Sequence, residues 1–136
     1  MAKSRRDQIR DRAGDVCEYC LLPQFCTTLP HEIDHIRAKK HHGPTTLQNT
    51  CWACAYCNSS KGTNASGYDD ETASLVRLFN PRRDRWKDHF AWRGPRLTGK
   101  TPIARATIDV LNINHPDRIE HRRILMEMGM LALRNG

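Results

Sequence analysis

The sequence predicts a small α+β domain, in which a short strand pair and one helix are joined by two pairs of cysteines and flanked by further helices. Three observations support this class. The stretch LPHEIDHI alternates apolar and polar residues as a short strand does, the stretch GPTTLQNT is rich in turn-forming residues, and a C-x2-C pair lies on each side of both. With 136 residues the chain can build one modest core, so we expect a single domain over residues 1–136.

Local patterns define the central strand pair and helix. A strand is expected over residues 29–36, and a second short strand after residues 43–50, which together make a hairpin with a long loop. The stretch CAYCNSSKGTN predicts a tight cysteine turn, or knuckle, that continues into a short helix ended by Gly62. We expect the acidic stretch GYDDETAS that follows to be irregular, and nothing in it indicates a catalytic role.

Capping residues predict the flanking helices. Ser4 can cap a basic surface helix that runs to about Ala13, and Thr101 can cap a second helix that ends near Leu111. Pro116 begins a third helix. Its apolar side chains are expected near one face that packs on the core, and they are Ile119, Leu125, Met128 and Ala132.

The charge balance points to a polyanionic partner. Lys and Arg number 22 against 15 Asp and Glu, which gives a net charge of +7 and favours DNA or RNA. An acidic membrane surface is the weakest alternative, because no stretch approaches the roughly 20 apolar residues of a membrane span and the N-terminal residues lack an apolar signal segment. We therefore expect no membrane association and a cytoplasmic location.

A basic segment, residues 80–100, carries seven Lys or Arg and two Asp, so five of the seven net charges lie there. With the helical tail it occupies about residues 80–134. We predict that it faces DNA phosphates through Arg82, Arg83 and Arg85. The alternative is that the interleaved aromatics belong to the core and the arginines are merely solvated; these aromatics are Trp86, Phe90 and Trp92.

The paired cysteines predict a structural zinc site. In a reducing cytoplasm six cysteines favour metal ligation over disulfides, and two C-x2-C pairs can present four thiolates tetrahedrally to Zn²⁺. The 33 residues between the pairs exceed the spacing of a simple zinc ribbon, so a further unit is inserted there. Cys26 and Cys51 fall outside the pattern and are expected to be small buried thiols. The predicted ligands are Cys17, Cys20, Cys54 and Cys57.

Within that insert, Asp34 and His35 are followed by Asn49, Asn58 and Lys61, which gives the order D-H, N, C-x2-C-N-x2-K in 28 residues. On these motifs the chain resembles the HNH endonuclease family, in its H-N-N form with a flanking four-cysteine zinc site, over roughly residues 15–62. Less specifically, the later stretches LFNPRRDRWKDHF and TPIARATIDVLNIN are similar to the tail of stand-alone bacterial HNH proteins.

The resemblance implies a ββα-metal (His-Me finger) fold and cleavage of DNA that leaves 5′-phosphate and 3′-hydroxyl ends. Asp34 and Asn58 would offer oxygen ligands to one Mg²⁺ or Mn²⁺, while His35 acts as the general base and Asn49 braces the hairpin loop and orients it. Adjacent strand residues point to opposite faces, so Asp34 and His35 can serve one site only if the strand ends or bends there.

Several nearby residues have open roles. Lys61 follows Asn58 by three positions, so its ammonium either lies near the scissile phosphate or is a solvated helix-end charge. Glu32 lies two residues before Asp34 and is a possible auxiliary metal carboxylate. Three further histidines are expected to be exposed or to contact phosphate, namely His31, His41 and His42. Where the family often has Gly-Gly, this chain has His42-Gly43, which affects the turn geometry of the loop.

Two other functions compete with a nuclease. A non-catalytic, zinc-ribbon-like nucleic-acid-binding module explains the charge and the cysteines but leaves the order of Asp, His, Asn and Lys unexplained. A cysteine hydrolase is disfavoured because neither unpaired cysteine has an activating context. We see no strong self-association signal, so a monomer is favoured.

Overall fold

The structure, a computed structural model that describes residues 2–134, is a mixed α/β fold of short antiparallel strand pairs and helices. It confirms the predicted α+β class. The helices are α1 (Arg5–Arg12), α2 (Ala55–Lys61), α3 (Trp86–His89), α4 (Pro102–Val110) and α5 (Pro116–Glu127). The strands are β1 (Glu32–His35), β2 (Thr50–Ala53), β3 (Ser66–Asp69), β4 (Ser74–Arg77), β5 (Phe90–Arg93) and β6 (Arg96–Gly99).

Helix α1 begins and ends as predicted and braces the first hairpin. The Ser4 hydroxyl accepts a hydrogen bond from the amide of Asp7 (3.1 Å), and Gly14 adopts the left-handed conformation after the helix. Arg12 donates to the carbonyls of Leu47 (2.7 Å) and Thr50 (2.6 Å). The basic helix therefore holds the start of β2 as well as facing solvent.

Strands β1 and β2 and helix α2 form the predicted ββα unit. The hairpin pairs Glu32 with Ala53 and His35 with Thr50, and short 3-10 turns occupy its long loop. Strand β1 is shorter than expected, because Pro30 lacks the amide proton that a longer ladder would need. Helix α2 follows β2 directly and ends at Gly62, so it packs against β1.

The acidic stretch is not irregular, and that prediction is wrong. It forms the β3–β4 hairpin, whose turn is closed by Asp69 accepting from the amide (3.1 Å) and hydroxyl (2.6 Å) of Thr72. Arg105 of α4 also donates to the Asp69 carboxylate (2.8 Å). A Cβ at Gly67 would lie 2.5 Å from Val110 of α4, so this glycine permits the close packing of hairpin and helix.

The basic segment contains α3 and the β5–β6 hairpin, and its aromatic side chains belong to the core. Phe90 packs against Phe79 and Trp86, with ring centroids 5.1 and 5.2 Å apart, and Trp92 is buried beside them. The alternative stated for these aromatics is therefore confirmed. Helix α4 begins at the predicted cap, where the hydroxyl of Thr101 accepts from the amide of Ala104.

Helix α5 begins as predicted, but its expected apolar face is only partly correct. Leu125 is buried, whereas Met128 is 65% exposed and Ala132 lies beyond the helix and is exposed. The chain turns at Gly129, which has a φ of +71°, and Leu131 then returns to the core. Within residues 2–134, none of the helices combines the length and apolar composition needed to cross a membrane.

Candidate active site and metal centre

The two cysteine pairs converge on a buried four-cysteine cluster. Its Sγ atoms all lie within 4.8 Å of one another, and those of Cys20 and Cys54 are 3.7 Å apart. Four thiolates at about 2.3 Å from a tetrahedral zinc ion have Sγ atoms about 3.8 Å apart, so the spacing fits. The cluster can hold a metal such as zinc. Its members are Cys17, Cys20, Cys54 and Cys57.

Each pair is shaped by its own turn. The amide of Cys20 donates to the Sγ of Cys17 (3.5 Å), and the amide of Cys57 donates to the Sγ of Cys54 (3.4 Å) at the start of α2. The pKa of Cys20 lies well below its ordinary value because the other three thiols hydrogen-bond to its sulfur. As predicted, the remaining two cysteines are buried and lie outside the cluster.

Sequence reasoning missed the cation beside this cluster. Arg118 of α5 donates to the Sγ of Cys57 (3.1 Å) and approaches that of Cys54 (3.8 Å), and it lies over the ring of Tyr56. Four thiolates with one Zn²⁺ carry a net charge of −2, which a neighbouring guanidinium partly offsets. The arginine lies 61 residues after Cys57, so local spacing gives no signal for the contact.

Asp34 points into the protein. Its carboxylate accepts a hydrogen bond from the hydroxyl of Tyr19 (2.6 Å) and from the ammonium of Lys61 (3.2 Å), and the Sγ of Cys51 lies 3.5 Å away. The side chains of Asp34 and Lys61 are only 3% and 2% exposed. Lys61 is therefore not a solvated helix-end charge. Asn58, three residues earlier on α2, also contacts β1, through Glu32.

Glu32 and Asn58 form the outward part of the candidate site. The amide nitrogen of Asn58 donates to a carboxylate oxygen of Glu32 (2.6 Å), and the Glu32 side chain is exposed. Asp34, two residues along the same strand, brings a second carboxylate, and both of its oxygens accept hydrogen bonds inside the protein. Carboxylate and amide oxygens are the donors that a hard divalent cation prefers, so the chemistry of these residues fits Mg²⁺ or Mn²⁺.

His35 lies at the last position of β1, so the strand does end where the adjacent Asp and His require it to end. Its Nε2 is 2.8 Å from the hydroxyl of Thr45, a partner that the sequence did not single out. Asn49 braces the loop between His35 and Thr45. Its side chain accepts from the amide of Arg37 and donates to the carbonyls of Arg37 and Pro44. Partial burial and then the charge of Lys39 lower the pKa of His35.

The three other histidines differ in exposure. His31 is fully buried, with its Nε2 2.8 Å from the carbonyl of Leu22, so the expectation of an exposed imidazole is wrong there. His41 and His42 are exposed as expected. His42 itself adopts the left-handed conformation (φ +67°), and a Cβ at Gly43 would lie 1.7 Å from the carbonyl oxygen of Arg37. One glycine therefore suffices for this turn.

The three arginines proposed for DNA contact are not equivalent. Arg82 is partly buried and forms an ion pair with Glu18, which lies between the two cysteines of the first pair. Arg83 and Arg85 are exposed. Two of these arginines therefore face solvent, while the third is engaged within the fold.

Comparison with known proteins matches residues 17–64 of this chain to the HNH endonuclease family, which confirms the resemblance drawn from the motifs. The chain is also similar to the Septu protein PtuB of Bacillus thuringiensis, with 25% identity over 118 residues. That alignment covers 85% of this chain but only 43% of the relative, so the chain spans less than half of the relative's length. No solved structure matches the chain. The matched residues include the four cysteines, the β1–β2 hairpin and α2.

Proposed function

We propose that this protein is a metal-dependent HNH endonuclease that hydrolyses DNA phosphodiester bonds and leaves 5′-phosphate and 3′-hydroxyl ends. The observation that best supports the proposal is the ββα unit within residues 17–64, where His35 ends β1 and Asn58 projects from α2 onto the same strand. A non-catalytic module would have no need for this arrangement.

In this proposal Asp34 and Asn58 hold one Mg²⁺ or Mn²⁺, with Glu32 as an auxiliary carboxylate. A bound divalent cation supplies neutralisation of phosphoryl charge and a more acidic bound water. The contribution of the chain is to orient these oxygen donors: Asn58 is fixed by its bond to Glu32, and Asp34 by Tyr19.

His35 is the proposed general base. Its lowered pKa favours the neutral imidazole at neutral pH, where it can accept a proton from water. If Nε2 carries the hydrogen and donates to the Thr45 hydroxyl, then Nδ1 is the nitrogen that accepts. Asn49 supports this orientation through the loop that carries Thr45.

The remaining parts of the proposal concern zinc, DNA and assembly. The four-cysteine cluster would bind structural Zn²⁺ and tie the two ends of the catalytic insert together. Exposed Arg83 and Arg85 would contact DNA phosphates, whereas Arg82 stays paired with Glu18. We expect a cytoplasmic monomer; since one metal site makes one cut, the first product would be a nick.

Incubation of the purified protein with supercoiled plasmid, with and without Mg²⁺ or Mn²⁺, tests the activity. We expect nicked circles only with a divalent cation, and a loss of about 10² or more in rate for His35→Ala. The variant should keep one zinc per chain and wild-type DNA affinity. A wild-type protein that binds DNA but stays inert with every cation would favour the zinc-ribbon-like binding module instead.

A further inference from the structure

The first cysteine turn and the helix that begins at the second turn each send a side chain to the same carboxylate. Tyr19 lies between Cys17 and Cys20 in the first turn, and its hydroxyl donates to Oδ2 of Asp34 (2.6 Å). Lys61 lies four residues after Cys57, at the end of the helix that the second turn begins, and its ammonium donates to Oδ1 (3.2 Å). One oxygen of Asp34 thus accepts from a residue inside the first cysteine pair, and the other accepts from the helix that carries the second pair.

The same ammonium also holds the end of β1. Lys61 Nζ lies 3.1 Å from the carbonyl oxygen of His35 and 3.5 Å from that of Ile36. These bonds fix the backbone at the residue where the strand stops and the imidazole leaves it. The Lys61 side chain is only 2% exposed, and its ammonium is already bonded to Asp34 and to these two carbonyls.

Because Asp34, Lys61 and Tyr19 are buried, breaking the bonds between them would destabilise the fold. Removing one member of a buried ion pair leaves an uncompensated charge in a medium of low polarity, which destabilises a protein far more than the loss of an exposed pair does. Tyr19 is likewise buried, and its ring packs edge-on against Phe79 at 6.5 Å between centroids. Neither donor can turn away from Asp34 without leaving a buried polar group unpaired.

We propose that Tyr19 and Lys61 are positioning residues of the nuclease site, through which the four-cysteine cluster fixes the Asp34 carboxylate and the end of β1. The inference rests on the proposed function, in which Asp34 binds the catalytic cation. It assigns Lys61 to the interior of the site and not to a DNA phosphate, and it gives the metal-binding turns a direct role in the geometry of catalysis.

The variant Tyr19→Phe tests the first half, because it removes one hydroxyl and keeps the ring. We expect one zinc per chain and an unchanged fold, but Mn²⁺ bound about 10- to 100-fold more weakly, as measured by electron paramagnetic resonance. Tyr56→Phe is the matched control: that ring lies beside Arg118 near the cluster, and its variant should bind Mn²⁺ as the wild type does.

Asp34→Asn separates failure of this inference from failure of the proposed function. If Asp34→Asn weakens Mn²⁺ binding and Tyr19→Phe does not, Tyr19 is not a positioning residue. If Asp34→Asn binds Mn²⁺ as tightly as the wild type, the ligand role of Asp34 is wrong, and with it the basis of the inference.

Lys61→Met tests the second half through DNA binding, which needs no catalysis. We expect the slope of log K against log salt to stay at the wild-type value, whereas loss of a phosphate contact would flatten it by about 0.9 and overturn the assignment. The folding equilibrium constant should fall by about 10²- to 10³-fold, and Asp34→Asn in the same chain should recover part of that loss. Should Lys61→Met fail to fold, the salt slope is measured on the double variant with Asp34→Asn. If Lys61→Met is as stable as the wild type, the buried ion pair between Lys61 and Asp34 does not have the role assigned to it.

Discussion

The hydrogen bond between His35 and Thr45 provides the sharpest test of the proposed base. Thr45 is exposed, and its hydroxyl lies 2.8 Å from Nε2 of the imidazole. Thr45→Val replaces that hydroxyl with a methyl group of similar size. Because the side chain packs little, the substitution should leave the loop and the zinc content unchanged and remove one contact to the base.

The size of the effect follows from the change in charge during the reaction. A hydrogen bond between neutral partners contributes about 0.5–1.5 kcal/mol, and one from a charged donor about 1.5–3 kcal/mol. When His35 accepts a proton from water, its Nε2–H becomes a charged donor to Thr45. The bond therefore stabilises the later state by about 1–1.5 kcal/mol more than the earlier one, which corresponds to about a 10-fold fall in rate when it is removed.

Single-turnover nicking of supercoiled plasmid at saturating Mn²⁺ measures this rate. Thr45→Ser keeps the hydroxyl and is the matched control, expected to cleave at a rate close to wild type. A Thr45→Val protein that cleaves as fast as the wild type, with normal zinc content and DNA affinity, would refute the argument that this bond orients the base.

Four further outcomes are expected. Chelation of zinc should unfold the chain cooperatively by circular dichroism, and Mg²⁺ alone should not restore it, because structural zinc contributes on the order of 10–16 kcal/mol in small domains; an unchanged spectrum would contradict this. Gly43→Ala should lower stability by about 1–3 kcal/mol in urea, since its Cβ would meet the Arg37 carbonyl; unaltered stability would mean that the loop adapts. Arg83→Ala with Arg85→Ala should flatten the salt slope of DNA binding by about 1.8; an unchanged slope would exclude these contacts. The cleavage rate should rise with pH and then level off, because the neutral form of His35 dominates above its pKa. The midpoint of this rise should lie below about 6.5, the ordinary pKa of histidine, because the pKa of His35 is lowered. A midpoint above about 6.5 would argue against His35 as the base.

Local signals in the sequence were enough for the ββα unit and the cluster. The C-x2-C turns, the cap at Ser4 and the stop at Gly62 each depend on residues within one helical turn, so the pattern alone specifies them. The order of Asp34, His35 and Asn58 likewise places the candidate residues on adjacent elements. The sequence also predicted that the strand ends or bends at the Asp-His pair if both residues serve one site, and β1 does end at His35.

Tertiary packing decided what the sequence could not. A lysine at a helix end is usually solvated, and only the fold brings Lys61 beneath β1 and makes it a buried partner of Asp34. The fold likewise buries His31, whose ring nitrogen lies within hydrogen-bond distance of the Leu22 carbonyl. In the acidic stretch, the high charge concealed a hairpin because the stabilising cation, Arg105, lies 36 residues after Asp69.

The placement of Arg118 has a consequence for how a metal ion would enter and leave the four-cysteine cluster. The four cysteines are almost completely shielded from solvent, and the guanidinium closes over two of their sulfurs while also bonding the carbonyls at the end of α4. We therefore expect a chelator to reach an ion held by these thiolates when α5 detaches. Metal exchange should be slow in the native protein and should proceed at the rate at which α5 opens, so the time course of zinc release would follow the amide hydrogen exchange of that helix.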